Sequence, residues 1–449
     1  MNKEYELIVI GAGPGGYVAA IRAAQLGAKV LVVEKDEIGG TCLNRGCIPT
    51  KAMVASAGVL LSAKKAGQYG IKAENISADI NAVIERKNKI IGQFRMGIGG
   101  IFKSYGIESV KGSAVFVSGS ELDISGEKTA FKKCIIAAGS VPSSIPGIVV
   151  DGEKIITSDH ILDIKQVPAT LLIIGSGAIG IEFACIFSAF GTKVTVVEVL
   201  PRILPNEDEE ISEKFRQLLI RDGIEIKVNY KVAPEELANY EKVLVSAGRK
   251  PSTAGLGLEK AGIKLSERGF IPVNDRMETD IAGIYATGDA VGGIMLAHKA
   301  SQEGIVAAEN ACGNASSGSR IDYSVIPSCI YSIPEVASVG LSDKKAIEKG
   351  YEVIVGKFPF AASGRAVTLG ETKGFVKVII DKKTDIILGA SIIGAEASEL
   401  IAEVALAVKM KATTKDLIRI AHAHPTLAEA FFEAAHDAHK EAVDLPKKR

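Results

Sequence analysis

The sequence predicts a soluble α/β protein built on parallel strands and the helices that connect them. Two observations predict this class: an apolar run that ends in a glycine-rich turn near residue 11, and a second run of the same kind near residue 175. A third is the composition, 47% hydrophobic and 24% charged, which is that of a globular protein. At 449 residues the chain has room for roughly three domains.

The charge balance and the cysteines exclude several classes of protein. Lysine plus arginine and aspartate plus glutamate both number 53, so no basic excess predicts binding to nucleic acid or an anionic membrane. Six cysteines in so long a chain are not a secreted disulfide framework and suit a reducing cytoplasm. No long uncharged apolar run occurs, and residues 7–10 lead straight into glycines, so we expect neither a membrane span nor a signal peptide.

The N-terminal segment has the pattern of a strand–turn–helix–strand unit that binds a dinucleotide. Residues 5–10 are a predicted buried strand, residues 17–26 a helix, and residues 29–33 a second strand that ends at Glu34. The turn between the first strand and the helix contains Gly11, Gly13, Gly15 and Gly16.

Each position of this turn has an expected role. Gly11 makes the tight turn, Gly13 lets the backbone approach a pyrophosphate, and Gly16 allows the helix to pack closely on the strand. The helix N-terminus receives the phosphates, and Glu34 accepts hydrogen bonds from the ribose hydroxyls. The alternative is a glycine turn in an ordinary α/β domain, which the complete order of elements disfavours.

A second unit of the same kind follows. Residues 170–174 are a predicted strand, a helix runs to residue 190, and residues 193–197 form a strand that ends at Glu198. Glu198 lies 23 positions after Gly175, the spacing that separates Glu34 from Gly11. The glycines expected to line this second site are Gly175, Gly177, Gly180 and, after the strand at 242–246, Gly248.

Two such units predict two bound dinucleotides, most simply a flavin and a nicotinamide. Glu198 would bind the ribose diol of NAD and repel the 2′-phosphate of NADP. No arginine pair follows Glu198 directly, which supports NAD, whereas Arg202 is a weaker sign in the other direction.

Cys42 and Cys47 lie in a segment with helical character. On an ideal helix their Cα atoms would be about 8.7 Å apart, whereas a disulfide needs roughly 4.4–6.8 Å. If the two cysteines form a disulfide, the helix must be distorted, which Gly46 would permit. Such a strained disulfide would be catalytic. A metal site and two unpaired thiols stay open as alternatives; no second Cys/His pair follows nearby, so we predict no metal.

Other segments give weaker signals. Residues 110–117 and 129–131 are candidate strands, and residues 81–105 form a long basic helix whose charged face we expect to be solvated. Residues 134–138 are a buried strand that ends at Gly139. Asp289 follows a predicted strand and either binds a polar ligand or caps a helix.

With these motifs in place, the chain resembles the dimeric flavoprotein disulfide reductases over its full length and, within them, the dihydrolipoamide dehydrogenases. The matching stretches are residues 39–51 around the cysteines, 198–205 after the second unit, 286–290, and 422–429. The resemblance implies two Rossmann-like dinucleotide-binding domains, a central domain and an α+β dimerisation domain. Their expected ranges are 1–143 for FAD, 144–264 for NAD, 265–325 for the central domain and 326–449 for the interface domain.

The resemblance also implies roles for individual residues. Cys42 is the sulfur that exchanges with substrate, and Cys47 faces the flavin. His424 is the acid/base, supplied by the other subunit of a homodimer, and Glu429 orients it; a capping box from Thr426 to Glu429 is the structural alternative. The remaining implied residues are Lys51 beside the flavin, Glu182 as its ion-pair partner, and Asp289 on the flavin side chain.

The function implied is oxidation of protein-bound dihydrolipoamide, with FAD and NAD as cofactors. The lipoyl group would belong to the acyltransferase of a 2-oxoacid dehydrogenase or to the H protein of glycine cleavage. A glutathione-type reductase is opposed by Glu198, and a mercuric reductase by the absence of any cysteine after Cys329. A flavin subunit or diaphorase with an inert disulfide is a further alternative.

Overall fold

The computed structural model describes residues 4–313 and 318–447. Residues 1–3, 314–317 and 448–449 lie outside that part, so the ends of the ranges 1–143 and 326–449, and four residues within 265–325, are not described. The four domain ranges stay a prediction, but the mixed α/β class is confirmed by the elements below.

The strands of the described residues are, in chain order, β1 (Glu4–Ile10), β2 (Val30–Glu34), β3 (Glu108–Lys111), β4 (Ala114–Ser118), β5 (Glu121–Ile124), β6 (Glu127–Ile136), β7 (Ser140–Pro142), β8 (Ile155–Ile156), β9 (Thr170–Ile174), β10 (Lys193–Val197), β11 (Glu225–Lys227), β12 (Lys242–Val245), β13 (Arg249–Pro251), β14 (Ile284–Ala286), β15 (Ser328–Ile330), β16 (Glu335–Gly340), β17 (Val353–Pro359), β18 (Phe375–Asp381) and β19 (Ile387–Gly394).

The α-helices of the same residues are α1 (Pro14–Gln25), α2 (Gly40–Arg45), α3 (Cys47–Lys64), α4 (Ile80–Ser104), α5 (Ser158–Ile161), α6 (Ala178–Phe190), α7 (Glu209–Arg221), α8 (Ala297–Cys312), α9 (Asp343–Glu348), α10 (Gly364–Thr368), α11 (Ala397–Met410), α12 (Thr414–Ile418) and α13 (Glu429–Ala438).

The first sheet has the order β3-β2-β1-β6-β5-β4, and β14 also pairs with β6. Its centre is parallel, whereas β5 and β4 extend it antiparallel from the N-terminal half of β6. Ile8 and Ile10 pack into one core, and Leu7 and Val9 into another. Because successive strand residues point to opposite faces, both faces of β1 are buried.

The second sheet, β11-β10-β9-β12-β8, is parallel throughout. In it β9, α6 and β10 repeat the order of β1, α1 and β2, so the carboxyl ends of β1 and β9 each open onto a glycine loop and a helix N-terminus. Ligands of such sheets bind at these strand ends. The fold therefore provides two equivalent positions for dinucleotides.

The C-terminal sheet, β15-β16-β19-β18-β17, is antiparallel, with α11 and α13 packed on it. Helix α13 lies so close to β17 that a Cβ added at Gly356 would be 1.9 Å from the carbonyl oxygen of Ala434. This close packing places the segment before α13, which contains His424, at a fixed position on the domain surface.

Two strand predictions were wrong in their limits. Residues 110–117 belong to β3 and β4, which lie at opposite edges of the first sheet, because the chain turns at Gly112 and Ser113. Residues 129–131 and 134–138 were expected as separate strands, but residues 127–136 are the single strand β6. Its N-terminal half pairs with β5 and its C-terminal half with β14.

The basic face of α4 is also less solvated than expected. The side chain of Lys87 is only 3% exposed, and its Nζ donates to the carbonyl oxygen of Leu162 at 2.8 Å and to Asp163 at 2.6 Å. One cation of this helix therefore joins the first domain to the segment that precedes β9.

By length and composition alone, the stretch Gly40–Lys64 could cross a membrane. In the fold it is two helices rather than one, because Gly46 lies between α2 and α3 with φ −137° and ψ −115°. Helix α3 packs against both α4 and α6.

A buried ion cluster connects the second domain to the C-terminal sheet. Lys377, on β18, is 2% exposed, and its Nζ lies 2.8 Å from Asp208 and 2.9 Å from Asp343. Burial opposes the charge on Lys377, but the hydrogen bonds to both carboxylates outweigh it and raise the pKa of the ammonium. Beside it, Glu207 accepts from the hydroxyls of Ser328 at 2.8 Å and Ser338 at 2.6 Å.

We predict that Lys377→Met lowers the free energy of unfolding by about 3 kcal/mol, because it leaves the buried carboxylate of Asp208 without its cation. Urea denaturation followed by circular dichroism measures this. The matched control is Lys382→Met, whose side chain is 62% exposed and whose removal should change stability by less than about 0.5 kcal/mol. Equal, small effects of the two substitutions would refute the role of the cluster.

Candidate active site

The two glycine loops have the same geometry. Gly11 and Gly175 have φ of 99° and 105°, in the left-handed region that favours glycine, and a Cβ there would lie 2.4 and 2.6 Å from a backbone oxygen of the loop after the neighbouring strand. A Cβ at Gly16 or Gly180 would lie 1.9 or 2.1 Å from the carbonyl oxygen of the first glycine. Helix and strand therefore approach as closely as the sequence predicts.

The opposite side of each loop is open. A Cβ at Gly177 would meet nothing within 4 Å, and one at Gly13 only Gly40, at 3.8 Å. Gly139 and Gly248, at the ends of β6 and β12, have φ of 70° and 95° and face the same kind of open space. The N-termini of α1 and α6 have no side-chain cap, so their N–H groups are available to phosphate. These features fit the pyrophosphates of two dinucleotides.

Gly15 has a different environment from the other loop glycines. A Cβ there would lie 2.8 Å from Oγ1 of Thr287, and a Cβ at Gly304 of α8 would lie 2.3 Å from the carbonyl oxygen of Gly15. The position is therefore small because α1 packs against α8 and the end of β14. This packing reason was not visible in the motif.

Glu34 and Glu198 make equivalent hydrogen bonds. Each accepts from the backbone N–H that follows the first glycine, Ala12 at 2.7 Å and Ser176 at 3.0 Å, and from the N–H two positions beyond itself, at 2.9 Å in both cases. Burial raises the pKa of Glu34, against the opposing bond from Ala12. The carboxylate oxygens retain further lone pairs with which to accept from a ribose diol.

Arg202 does not present its guanidinium as a free phosphate ligand. Its Nη2 donates to the carbonyl oxygen of Pro205 at 2.8 Å, and its Nη1 forms an ion pair with Glu209 at 2.5 Å. Arg202, the weaker sign of NADP, therefore already binds groups of its own segment.

The segment between Cys42 and Cys47 is distorted as predicted. Gly46 ends α2, and a Cβ there would be 2.9 Å from the carbonyl oxygen of Thr41 and 3.2 Å from the Cα of Cys42. The chain therefore folds back on Cys42 before α3 begins at Cys47. Both residues are thiols in this structure, and their side chains share a hydrogen bond.

The two sulfurs differ in their ionisation. The hydrogen bond from Cys42 lowers the pKa of Cys47 to about 7 against the effect of burial, and Lys51 lowers it further. Cys47 is also the first residue of an 18-residue helix, whose N-terminal end favours a thiolate. The pKa of Cys42 is raised, because it donates that hydrogen bond and is buried. In the dithiol form the charge therefore resides on Cys47.

Lys51 and Glu182 form the ion pair that the resemblance implied. The Nζ of Lys51 lies 2.8 and 2.9 Å from the two carboxylate oxygens of Glu182. Glu182 is 5% exposed, so its charge is buried rather than solvated. Tyr331, which sequence reasoning missed, donates its backbone N–H to Glu182 at 2.9 Å, and its ring centroid lies 4.5 Å from Nζ of Lys51.

Asp289 lies in a single helical turn, Gly288–Val291, and accepts from Oγ of Ser140 at 2.5 Å. The turn is held by a buried pair that sequence reasoning missed. Glu303 accepts from the backbone N–H of Gly288 at 2.8 Å and lies 3.0 Å from Lys299, with both side chains 1% exposed or less. Asp289 is thereby fixed beside the open end of β6.

His424 and Glu429 form the expected dyad on the surface of the C-terminal domain. Nδ1 of His424 lies 2.8 Å from Oε1 of Glu429, while Oε2 accepts from the backbone N–H of Thr426 at 2.7 Å. Glu429 therefore orients His424 and binds the backbone of Thr426, but the expected capping box is absent: α13 begins at Glu429 without a side-chain cap, and the hydroxyl of Thr426 donates to the carbonyl oxygen of Ala423. Burial opposes the charge of Glu429, but the hydrogen bonds from Thr426 and His424 outweigh it and lower its pKa.

The exposure of His424 separates it from His422. The side chain of His424 is 78% exposed, so its Nε2 side can face a second chain. That of His422 is 8% exposed, with Nε2 at 2.9 Å from Glu403. We therefore expect His422 to have no direct part in the chemistry.

We predict that one cysteine of the dithiol protein ionises near neutral pH. Thiolate absorbance should rise with a midpoint of about 7 as Cys47 ionises, because burial raises the pKa of Cys185, Cys312 and Cys329 to about 12, 11 and 12. Lys51→Met should move the midpoint to higher pH, whereas Lys64→Met, on the same helix, should not. A midpoint that is the same in Lys51→Met as in the unmodified protein would contradict the assignment of this ionisation to Cys47.

Comparisons with known proteins agree with this arrangement. Residues 5–304 match the family described as pyridine nucleotide-disulphide oxidoreductase. Residues 326–435 match the dimerisation domain of the same family.

Relatives of known name match nearly the whole chain. The dihydrolipoyl dehydrogenase of Thermus scotoductus is 43% identical, and the match covers 99% of each chain. A dihydrolipoyl dehydrogenase of Bacillus subtilis is 41% identical over 99% of this chain and all of the relative.

Solved structures show the same fold. LpdA of Mycobacterium tuberculosis superposes with a TM-score of 0.89 at 26% identity, over 96% of this chain and 99% of that one. The HOCl-induced flavoprotein disulfide reductase of Escherichia coli gives a TM-score of 0.84 at 27% identity, with the same coverage. With its paired glycine loops, its asymmetric cysteine pair and these matches, the chain belongs to the pyridine nucleotide-disulphide oxidoreductase family.

Proposed function

We propose that the chain is a homodimeric flavoenzyme that oxidises dihydrolipoamide and passes the electrons to NAD⁺. The observation that carries this is the position of the cysteine pair: the chain folds back on Cys42 at Gly46, and Cys47 begins the helix whose Lys51 is paired with Glu182. The named dihydrolipoyl dehydrogenases, matched over the full chain, supply the substrate class.

The residues that would hold the two cofactors follow from the open loops. FAD would lie on the loop from Gly11 to Gly16, with Glu34 at its ribose and Lys51, Gly139 and Asp289 along its remainder. NAD would lie on the loop from Gly175 to Gly180, with Glu198 and Gly248. When bound, the flavin supplies a two-electron carrier and the nicotinamide a hydride acceptor.

The protein's own residues perform the disulfide exchange. His424 of the partner subunit takes a proton from one thiol of dihydrolipoamide, and the thiolate attacks Cys42 of the Cys42–Cys47 disulfide. Cys47 leaves as a thiolate, which the nearby cation of Lys51 and the N-terminus of α3 favour. The second substrate thiol then attacks the substrate sulfur of the mixed disulfide, and its proton passes to Cys42 as Cys42 departs. Cyclic lipoamide is released; the two electrons remain on the cysteine pair, with one proton on Cys42 and one on His424.

The proposal also covers the partners of the protein and its cellular compartment. The matched dimerisation domain supports a homodimer, and the exposed dyad supports a site completed by two chains. The lipoyl group would be carried by the acyltransferase of a 2-oxoacid dehydrogenase or by the H protein of glycine cleavage, in the cytoplasm. Among the alternatives, no observation favours a glutathione-type or mercuric reductase, or an inert disulfide.

We predict that His424→Gln lowers the turnover of dihydrolipoamide about 10²- to 10⁴-fold, the range for loss of general acid–base catalysis, with FAD content unchanged. The assay is NADH formation from dihydrolipoamide and NAD⁺. His422→Gln is the control and should retain the activity, because His422 is directed at Glu403. Full turnover by His424→Gln would remove the dyad from the mechanism.

We further predict that Glu198→Gln raises KM for NAD⁺ about tenfold, the effect of losing a charged hydrogen-bond acceptor worth about 1.5 kcal/mol, with little effect on kcat. Glu213→Gln, an exposed change on α7, is the control. Activity with NADP⁺ equal to that with NAD⁺ in the unmodified protein would contradict the assigned cofactor.

A further inference from the structure

A small two-stranded ribbon joins the two nucleotide-binding domains. Strand β7 leaves the first sheet directly after Gly139, and β13 leaves the second sheet directly after Gly248. The strands pair antiparallel, with Arg249 opposite Pro142 and Pro251 opposite Ser140. Both glycines face open space at the ends of their sheets, so each strand begins beside one nucleotide site.

The two strands are copies of one motif. Ala-Gly-Ser-Val-Pro at 138–142 corresponds to Ala-Gly-Arg-Lys-Pro at 247–251. In this alignment Ser140 of the first domain is equivalent to Arg249 of the second. The pairing is reciprocal, because the N–H of Ser252 donates to the carbonyl oxygen of Gly139, and the N–H of Ser143 to that of Gly248, both at 3.0 Å.

A chain of hydrogen bonds leads from these two equivalent positions to Asp289, in the expected central domain. Nε of Arg249 donates to Oγ of Ser140 at 2.7 Å, and Nη2 donates to the carbonyl oxygen of Ser140 at 2.8 Å. Oγ of Ser140 in turn donates to Oδ2 of Asp289 at 2.5 Å. Ser140 is 6% exposed, so water does not readily replace either partner.

The direction of this chain of bonds is fixed by Arg249. A guanidinium has donors but no acceptor, so Oγ of Ser140 must accept from it. The single hydroxyl hydrogen is then directed at Asp289. This hydrogen bond through Oδ2 holds the carboxylate in the orientation that leaves Oδ1 for a ligand.

We propose that Arg249, which belongs to the nicotinamide-binding domain, is a positioning residue for the flavin, and that it acts through Ser140 to orient Asp289. The inference rests on the proposed function, in which a hydroxyl of the flavin side chain binds Asp289. If Arg249 has this role, the affinity for FAD depends on a residue of the domain that binds NAD.

The test compares Arg249→Met, Arg249→Lys and Ser140→Ala with the control Lys250→Met. Lys250 is exposed, lies on the same strand and takes no part in the hydrogen bonds that join Arg249, Ser140 and Asp289. Each full-length protein is stripped of flavin and titrated with FAD, and flavin fluorescence gives the dissociation constant. The thermal midpoint of each stripped protein reports folding.

Arg249→Met and Ser140→Ala should each raise the FAD dissociation constant about ten- to a hundredfold, the range for a lost hydrogen bond to a charged group. Arg249→Lys should recover part of the affinity, and Lys250→Met should leave it unchanged. The double variant Arg249→Met/Ser140→Ala should bind no more weakly than the worse single variant, because both act through one hydroxyl.

The contrary outcomes are distinct. If Arg249 only connects the two domains, Arg249→Met lowers the thermal midpoint of the stripped protein and leaves the FAD dissociation constant unchanged, which overturns the inference alone. If Arg249→Met does not fold, Ser140→Ala, a smaller change, decides the question: an unchanged FAD dissociation constant in that variant also overturns the inference. An unmodified protein that takes up no FAD overturns the proposed function and this inference together.

Discussion

The ion pair between Lys51 and Glu182 is the contact on which the reactive part of the molecule depends. Lys51 is one turn into α3, the helix that begins at Cys47, and Glu182 is one turn into α6, the helix that begins at the second glycine loop. The pair therefore fixes the cysteines relative to the second glycine loop. Separation of the two helices would leave the buried carboxylate of Glu182 without its cation, which costs free energy. The two helices are therefore held together by this cost as well as by the attraction of the ion pair.

The charge of the cysteines depends first on the hydrogen bond between them, in which Cys42 keeps its proton and donates to the thiolate of Cys47. Lys51 also favours that thiolate, whereas Glu182 opposes it. This difference between the two sulfurs supports the proposal that Cys42 exchanges with substrate and Cys47 transfers electrons toward the flavin. A protonated His424 is expected to lower the pKa of Cys42, but within one protomer the pKa of Cys42 is raised, so any such effect requires the second subunit.

Sequence reasoning predicted the duplicated units well, because the first and last glycines of each loop are required by local backbone geometry and each acid follows at a fixed spacing. It also predicted the break at Gly46, which follows from the reach of a disulfide. It did not predict Tyr331, Glu303 or the contact of Arg249 with Ser140, because these depend on which distant segments meet. The extent of β6 was missed for the same reason: its two halves are stabilised by different partners, β5 and β14.

The duplication also explains why two similar sites perform different tasks. After β2 the chain continues into the cysteine-bearing helices α2 and α3, whereas after β10 it continues through the loop of Arg202 to α7. The glycine loops are equivalent, and the segments that follow them are not.

We propose that Cys42 and Cys47 form a disulfide that dihydrolipoamide reduces. The most direct measurement is peptide mass mapping of the air-oxidised protein before and after one equivalent of dihydrolipoamide, without NAD⁺ and without oxygen. We predict a Cys42–Cys47 cross-link before the addition and two alkylatable thiols after it. Unlinked cysteines in the oxidised protein, or a cross-link that survives dihydrolipoamide, would contradict the account.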